Sequence, residues 1–352
     1  MDYRTIADKT QWDNIASSMA NHHILQSWSW GELKAQTSWN AERLVFKKGE
    51  NLIGAASVLT RTLPGAAGKI CYVPKGPLLC KTDPASIDYV LSCLEKYGKD
   101  NKGAYIKIDP DLADSDDVKN QLSKRKWIKG DDIQFKNTVR ISLLEDDEQV
   151  LGRMKSKTRY NIRLAKKKGV EIRVGTVEDL PLFYELYQDT GNRGCFTVRP
   201  FSYYEPIWKQ FLEEGKAALF LASYQEDTVS AVLAFIFGKT VWYFYGASIP
   251  KHRNKMPAYL VQWEAMQWAK QNGAQVYDMW GAPTVMDESD PLWGVYRFKS
   301  GFGGEFTEHI GAWDFPIKPM RYKIITRAIP GLMQIWKKLK GEPSLKKPRY
   351  TK

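Results

Sequence analysis

At 352 residues the chain is too long for one ordinary core and comfortable for two domains. Hydrophobic residues make up 43% and charged residues 26%, the balance of a globular enzyme, and no run reaches the roughly 20 apolar residues that cross a bilayer. The formal net charge of +12 is concentrated: residues 151–173 hold nine Lys/Arg against Glu171, and residues 318–352 hold eleven against Glu342. Basic patches of this kind suit an extended polyanion or an anionic surface. The opening Met-Asp-Tyr-Arg-Thr lacks the basic start and apolar run of a secretion signal, so a cytoplasmic location is expected. Cys71, Cys80, Cys93 and Cys195 form no Cys-x-x-Cys pair, and His22, His23, His252 and His309 lack metal-ligand spacing. Reduced thiols and no metal centre are expected.

In chain order, Asn51–Thr60 and Lys69–Gly76 read as the strands of a hairpin. Pro84 opens a helix with Ile87, Val90, Leu91, Leu94 and Tyr97 at helical spacing, and a strand follows from Gly103 to Asp109. Residues 153–168 read as a helix on which Lys155, Arg159, Arg163 and Lys166 or Lys167 recur near i, i+4. On it, Met154, Tyr160, Ile162 and Leu164 supply packing. Thr228–Phe237 and Val241–Ser248 then repeat the hairpin. The turn between them, Gly238-Lys239-Thr240, is no phosphate loop, because Leu233 stands where its first glycine belongs. Pro257 opens a helix with Leu260, Val261, Ala265 and Trp268 inward, and Gly273 leads into another strand.

The offsets between the copies are 176 at Ala55/Ala231, 173 at Pro84/Pro257 and 170 at Gly103/Gly273, steady enough to indicate one α/β unit present twice. A hairpin, a helix and a strand form the middle of the acyl-CoA N-acyltransferase (GNAT) fold. An α/β protein of two tandem GNAT-like domains with mixed sheets is therefore expected. That fold cradles a pyrophosphate on backbone amides at the helix start. Here Met256 occupies the position of the required glycine and would obstruct the phosphate, so no coenzyme A or other cofactor is expected.

Five segments now resemble one family: Gln26–Lys34, Lys155–Lys168, Phe196–Tyr204, Tyr243–Ser248 and Tyr296–Gly304. They follow the order of the FemABX family through nearly the whole chain. The resemblance implies two such domains that move an amino acid from aminoacyl-tRNA to an amine on the stem peptide of a peptidoglycan precursor, building the interpeptide bridge. No sustained heptad pattern is present, so the chain is similar to the short FemX-like members without a coiled-coil arm. That implies the soluble UDP-MurNAc-pentapeptide as first acceptor. The basic, apolar tail around Ile324, Ile329, Leu332 and Trp336 suits an anionic membrane surface and keeps a lipid-linked acceptor open.

By the same resemblance Phe298 and Lys299 hold the acceptor end of the tRNA, and Lys299 is the cation facing the oxyanion of the transfer. A surface lysine beside a core phenylalanine is the competing reading. Lys34, Arg199 and Tyr203 resemble the grip on the acceptor diphosphate, with Tyr243 or Tyr245 lining the same groove. If Tyr243 and Tyr245 share one strand face, they simply pack. Asp109 could accept a proton from the attacking amine, although an Asp preparing the turn at Pro110 is the commoner case. Lys155, Arg159, Arg163, Lys166 and Lys167 suit the phosphates of a tRNA stem.

The expected division is 1–147 with 318–342 as the first domain, 148–317 as the second, and 343–352 as a disordered basic tail, with the acceptor groove near the domain junction and the protein a monomer. Two rivals are a coenzyme A-dependent N-acyltransferase of duplicated form and a non-enzymatic RNA-binding protein.

Overall fold

The computed structural model describes residues 2–63, 68–194 and 196–328, which divide into two compact units. Cys195 and everything from Ile329 onward, including the tail's Leu332 and Trp336 and residues 343–352, lie outside the described residues. The first unit holds the described residues up to Lys136 and those from Glu308 onward; the second is Asn137–Thr307. The early strands are β1 (Asp2–Thr5), β2 (Asn40–Lys48), β3 (Asn51–Leu63), β4 (Gly68–Val73), β5 (Leu78–Leu79), β6 (Gly103–Ile108) and β7 (Ile128–Lys129). Next come β8 (Asn137–Ser142), β9 (Glu171–Gly175), β10 (Ala217–Tyr224), β11 (Asp227–Phe237), β12 (Thr240–Ser248), β13 (Val276–Asp278), β14 (Glu305–Glu308) and β15 (Trp313–Pro316).

In the first sheet the order is β1-β2-β3-β4-β6-β15-β7, with β5 beside β3. In the second it is β14-β8-β13-β12-β11-β10-β9. The duplication is visible in the sense of the pairings. From β1 to β15 they run antiparallel three times, parallel at β4/β6, then antiparallel. From β9 to β8 the same series appears, with the parallel pair at β12/β13. Each unit thus has the N-acyltransferase core. The closing strand differs in origin, because β15 comes from the end of the chain and β8 from the start of the second unit. This moves the expected boundaries: residues 137–147 belong to the second unit because β8 pairs with β13, and the return to the first unit begins at Glu308 rather than 318 because β15 pairs with β6.

The first unit's helices are α1 (Lys9–Ser18), α2 (Trp28–Ala35), α3 (Pro84–Asp100) and α4 (Asp116–Lys124). Asp83 caps α3 by accepting from the Ser86 N–H, and Pro84 occupies the first turn, where a missing N–H costs nothing. The Ile87, Val90, Leu91, Leu94 and Tyr97 face then joins Phe46, Val58, Val73 and Ile106 in one core. The second unit holds α5 (Asp147–Arg153), α6 (Ser156–Lys167), α7 (Leu180–Gly194), α8 (Phe201–Glu213), α9 (Pro257–Gln271) and α10 (Trp293–Lys299). Leu260, Val261 and Ala265 of α9 are buried against β10 and β11 as their spacing predicts. Gly273 takes the left-handed position after α9 (φ +81°), whereas after α3 that position falls to Lys102 (φ +55°).

After β15, α11 (Pro319–Lys323) lies on the first unit, where the Tyr322 hydroxyl donates to Asp314 at 3.0 Å and its ring meets that of Tyr105 edge-on. Among the described residues no helix is long and apolar enough to cross a membrane.

Candidate active site

Lys299 closes α10 and is 5% exposed. Its ammonium donates to the Gly281 carbonyl at 2.7 Å and to the Trp280 carbonyl, and it lies 5.7 Å from the centroid of the Tyr243 ring. Burial pulls its pKa down to about 7, with the Asp278 carboxylate opposing the fall. Lys299 is therefore neither a surface lysine nor a freely swinging one, but a cation fixed in a low-dielectric site. Phe298 stands edge-on to Tyr259 and Phe302 at 5.1 Å each and packs on the second core.

The glycines after Lys299 allow three close crossings. A Cβ on Gly301 would sit 2.5 Å from the Thr158 hydroxyl, on Gly303 2.5 Å from the Arg153 carbonyl, and on Gly304 2.7 Å from Val139 and Ile141. The chain after Lys299 is thereby pressed onto the α5–α6 connection and β8. Gly303 also has φ +78°, so Gly303→Ala combines a left-handed strain with a backbone clash. Its expected cost is at least about 2 kcal/mol, measured by urea unfolding. A wild-type midpoint would show that this crossing yields easily.

This crossing carries α6 to the lysine. The Lys155 N–H donates to the Gly301 carbonyl at 2.9 Å, and the Lys155 ammonium reaches the Ser300 hydroxyl at 3.4 Å. Thr158, Asn161, Ile162 and Ala165 form the buried face of α6. Lys155, Arg163, Lys166 and Lys167 are exposed, and none of them pairs with an acid among the described residues. Two expectations change here. Tyr160 is 62% exposed and supplies little packing, since it falls on the cationic face. Arg159, expected in the phosphate-facing row, is half-buried and donates to the Gly152 and Met154 carbonyls, which α5 leaves unpaired at its C-terminus.

Tyr243 and Tyr245 do not share a face. The β11/β12 register shifts at Leu233/Ala234, so Ala234 opposes Tyr243, Leu233 opposes Tyr245, and Phe244 is the extra residue of a bulge. Tyr243 therefore lies on the side of the second core and Lys299, with its ring over Gly246, where a Cβ would collide with the hydroxyl. Tyr245 lies among Tyr187, Tyr204 and Trp208, with ring centroids 5.3–5.8 Å away. That aromatic layer also anchors the segment before α8. The Arg199 N–H donates to the Tyr204 hydroxyl at 3.2 Å, and the Tyr184 hydroxyl donates to the Arg199 carbonyl at 3.0 Å. The exposed Arg199 guanidinium lies 4.5 Å from the Tyr203 ring centroid. The structure thus groups Lys299 with Tyr243, and Arg199 with Tyr203 and, through Tyr204, Tyr245.

Lys34 and Asp109 belong to the first unit. Lys34 lies in the last turn of α2, its ammonium 4.5 Å from the Trp30 ring centroid. Asp109 is 3% exposed; it accepts from the Tyr72 hydroxyl at 2.8 Å and from the Lys75 N–H, and burial raises its pKa to about 7. What it braces is the turn at Lys75 (φ +51°), not the turn at Pro110. Lys75 in turn reaches Asp111 at 2.7 Å, and His309 lies 3.6 Å from the same carboxylate. Burial works against ionising Asp111, but Lys75, His309 and His23 outweigh it and hold its pKa below the usual range. This buried cluster was not legible from the sequence, where its members are separated by up to 286 positions.

Met256 has φ +59°, the conformation a glycine would take before α9, and its side chain packs on the second core. Asp278 at the end of β13 and Thr138 on β8 also escaped the sequence reading, since neither belongs to a recognisable motif.

A doubled N-acyltransferase scaffold with a buried lysine beside a cationic helix defines the class as acyl-transfer proteins built from two tandem GNAT-like units. More particularly, the chain belongs to the FemAB family, whose model matches residues 8–128, 128–227 and 215–329. It is 25% identical over 408 aligned positions to a lipid II:glycine glycyltransferase of Staphylococcus haemolyticus, covering 94% of this chain and 97% of that one. The protein of that name from Staphylococcus saprophyticus is 24% identical, with 99% and 100% covered. The crystal structure of FemX superposes with a TM-score of 0.84 at 23% identity, covering 93% of this chain and 100% of that one.

Proposed function

We propose that the protein is an aminoacyltransferase that moves an amino acid from aminoacyl-tRNA to an amine of the stem peptide of a peptidoglycan precursor, extending an interpeptide bridge. What carries this reading is the family match across both units, joined to near-full-length relatives named lipid II:glycine glycyltransferases. Those names favour a lipid-linked acceptor over the UDP-linked one and make glycine the first residue to test.

The neutral amine attacks the ester carbonyl and forms a C–N bond. The tetrahedral oxyanion collapses, the C–O bond to the ribose breaks, and the departing oxygen leaves protonated as the amine sheds its proton. The chain's contribution is to position both reactants and to offset the oxyanion with the Lys299 ammonium. The exposed cations of α6 take the phosphates of the tRNA, placing its acceptor end near Lys299. On the second unit, Arg199 and Tyr203 take the precursor's diphosphate and sugar. Exposed Met320 and Ile324, beside Lys318, Arg321, Lys323 and Arg327, suit contact with an anionic membrane surface, where a lipid-linked acceptor resides. The protein acts as a monomer in the cytoplasm, needing no cofactor because the ester supplies the driving force.

The deciding experiment presents the purified protein with a panel of charged tRNAs and with both UDP-linked and lipid-linked precursors. Transfer of label to the stem peptide is expected. Absence of transfer from every tRNA, together with saturable acetyl-CoA binding, would overturn the reading in favour of a coenzyme A enzyme. For the tRNA interface, the triple variant Arg163→Glu/Lys166→Glu/Lys167→Glu should raise the KM for aminoacyl-tRNA about ten-fold or more at low salt. Its slope of log KM against log salt should fall by roughly one for each phosphate no longer neutralised. An unchanged slope would remove α6 from the interface.

A further inference from the structure

We propose that Asp278 and Thr138 are positioning residues for Lys299: together they hold the left-handed turn at Trp280–Gly281 whose two carbonyls grip the ammonium. This rests on the oxyanion-facing role proposed for Lys299 and adds the device that fixes it.

The chain leaves β13 through two consecutive left-handed residues, Trp280 (φ +48°) and Gly281 (φ +65°). A bulky side chain rarely adopts that conformation, and it persists only where the surroundings impose it. Here they do so from several sides. Asp278, 3% exposed, accepts the Trp280 N–H on Oδ1 at 2.8 Å. The same oxygen accepts the hydroxyl of Thr138, which is 4% exposed and sits on the neighbouring strand β8. The Trp280 ring stands edge-on to Phe244, the bulged residue of β12, with centroids 4.5 Å apart. Beyond the turn, the Ala282 N–H donates to the Asn137 carbonyl at 2.9 Å, and the Asn137 amide donates to the Pro283 carbonyl at 2.7 Å. Pinned at both ends, the turn aims the Trp280 and Gly281 carbonyls at Lys299.

The charged and titratable groups around the lysine come from four elements. Asp278 faces it from the end of β13 and Tyr243 from β12; Arg140 on β8 lies 3.9 Å from Asp278; and Lys155 approaches through Ser300 at the start of α6. Among these, the Asp278 carboxylate is the group that opposes the loss of the Lys299 proton brought on by burial. One carboxylate therefore serves two purposes: it shapes the turn and opposes the loss of the lysine's proton.

Asp278→Asn keeps an oxygen for the Trp280 N–H and the Thr138 hydroxyl while removing the charge. The Lys299 midpoint, followed by NMR on protein carrying [ε-13C]lysine and assigned by the signal missing in Lys299→Met, should fall by about one unit. The ratio of wild-type to Asp278→Asn kcat, in which titration of the acceptor amine cancels, should then be near one below about pH 6. Above about pH 8 it should approach roughly ten. The KM values for aminoacyl-tRNA and precursor should stay within about two-fold, since neither is touched by Asp278. Thr138→Val keeps the carboxylate and loosens the turn, so it should lower kcat about three-fold or more, independent of pH, with both KM values unchanged. Wild-type kcat in Thr138→Val would overturn the proposal, and an unmoved Lys299 midpoint or a pH-independent ratio in Asp278→Asn would overturn the second purpose given to the carboxylate. If Lys299→Met itself turns over normally, the reading of Lys299 has failed instead. An inactive Lys299→Met beside an Asp278→Asn of wild-type pH profile discards the charge effect of Asp278 alone, and an inactive Lys299→Met beside a Thr138→Val of wild-type kcat discards the positioning role.

Discussion

Lys299→Met lowers turnover by about 10²–10³ while leaving the KM for the precursor within about two-fold. The ammonium is fixed by the Trp280 and Gly281 carbonyls, so its charge needs little reorganisation when the oxyanion forms. Methionine fills similar volume without charge and removes the ammonium's hydrogen bonds to the Trp280 and Gly281 carbonyls, so a stability loss of about 1–3 kcal/mol accompanies the kinetic one. Urea unfolding separates the two effects, because the turnover loss must persist well below the unfolding midpoint. The pH dependence adds a signature. With its pKa pulled down to about 7 by burial, Lys299 is charged below that value and loses its proton as the pH rises through it. The wild-type rate relative to that of Lys299→Met should therefore be flat at low pH and fall above about 7. Wild-type turnover in Lys299→Met would leave the buried ammonium as a structural clasp only.

Arg199→Ala should raise the KM for the precursor about ten- to a hundred-fold, the range expected when a charge-assisted hydrogen bond is removed, with little change in kcat. The guanidinium is exposed, and its backbone is anchored by Tyr184 and Tyr204, so removing the side chain leaves the fold intact. Arg199→Lys should recover only part of the loss, because an ammonium cannot meet two phosphate oxygens in one plane. Titration with lipid-linked and UDP-linked precursors in parallel would show whether Arg199 reaches the shared diphosphate. An unchanged KM for both would move the acceptor away from this loop.

Motif order singled out Lys299, but neither its place at the end of α10 nor its neighbours followed from that order. Tyr243 and Tyr245 illustrate why. A period of two places them on one face, and one extra residue at Phe244 sends them to opposite sides, a decision made by pairing with β11 rather than by either tyrosine. Arg159 sits in a cationic row by spacing, yet its guanidinium is drawn to carbonyls that only the bend between α5 and α6 brings within reach. Asp278 and Trp280 carry no local mark of their role, because a left-handed tryptophan can be recognised only in three dimensions.

By itself the sequence determined the duplicated unit, its hairpins, its proline-led helices and the cationic helix, since all of these are written in short-range periodicity and in proline and glycine at fixed offsets. Only the tertiary structure decided which strand closes each sheet, where the chain passes between units, and what surrounds Lys299. The physical reason is common to all three. Strand pairing, burial and the pull of carbonyls on a cation depend on residues far apart in the chain, and their energies exist only once the fold has brought those residues together.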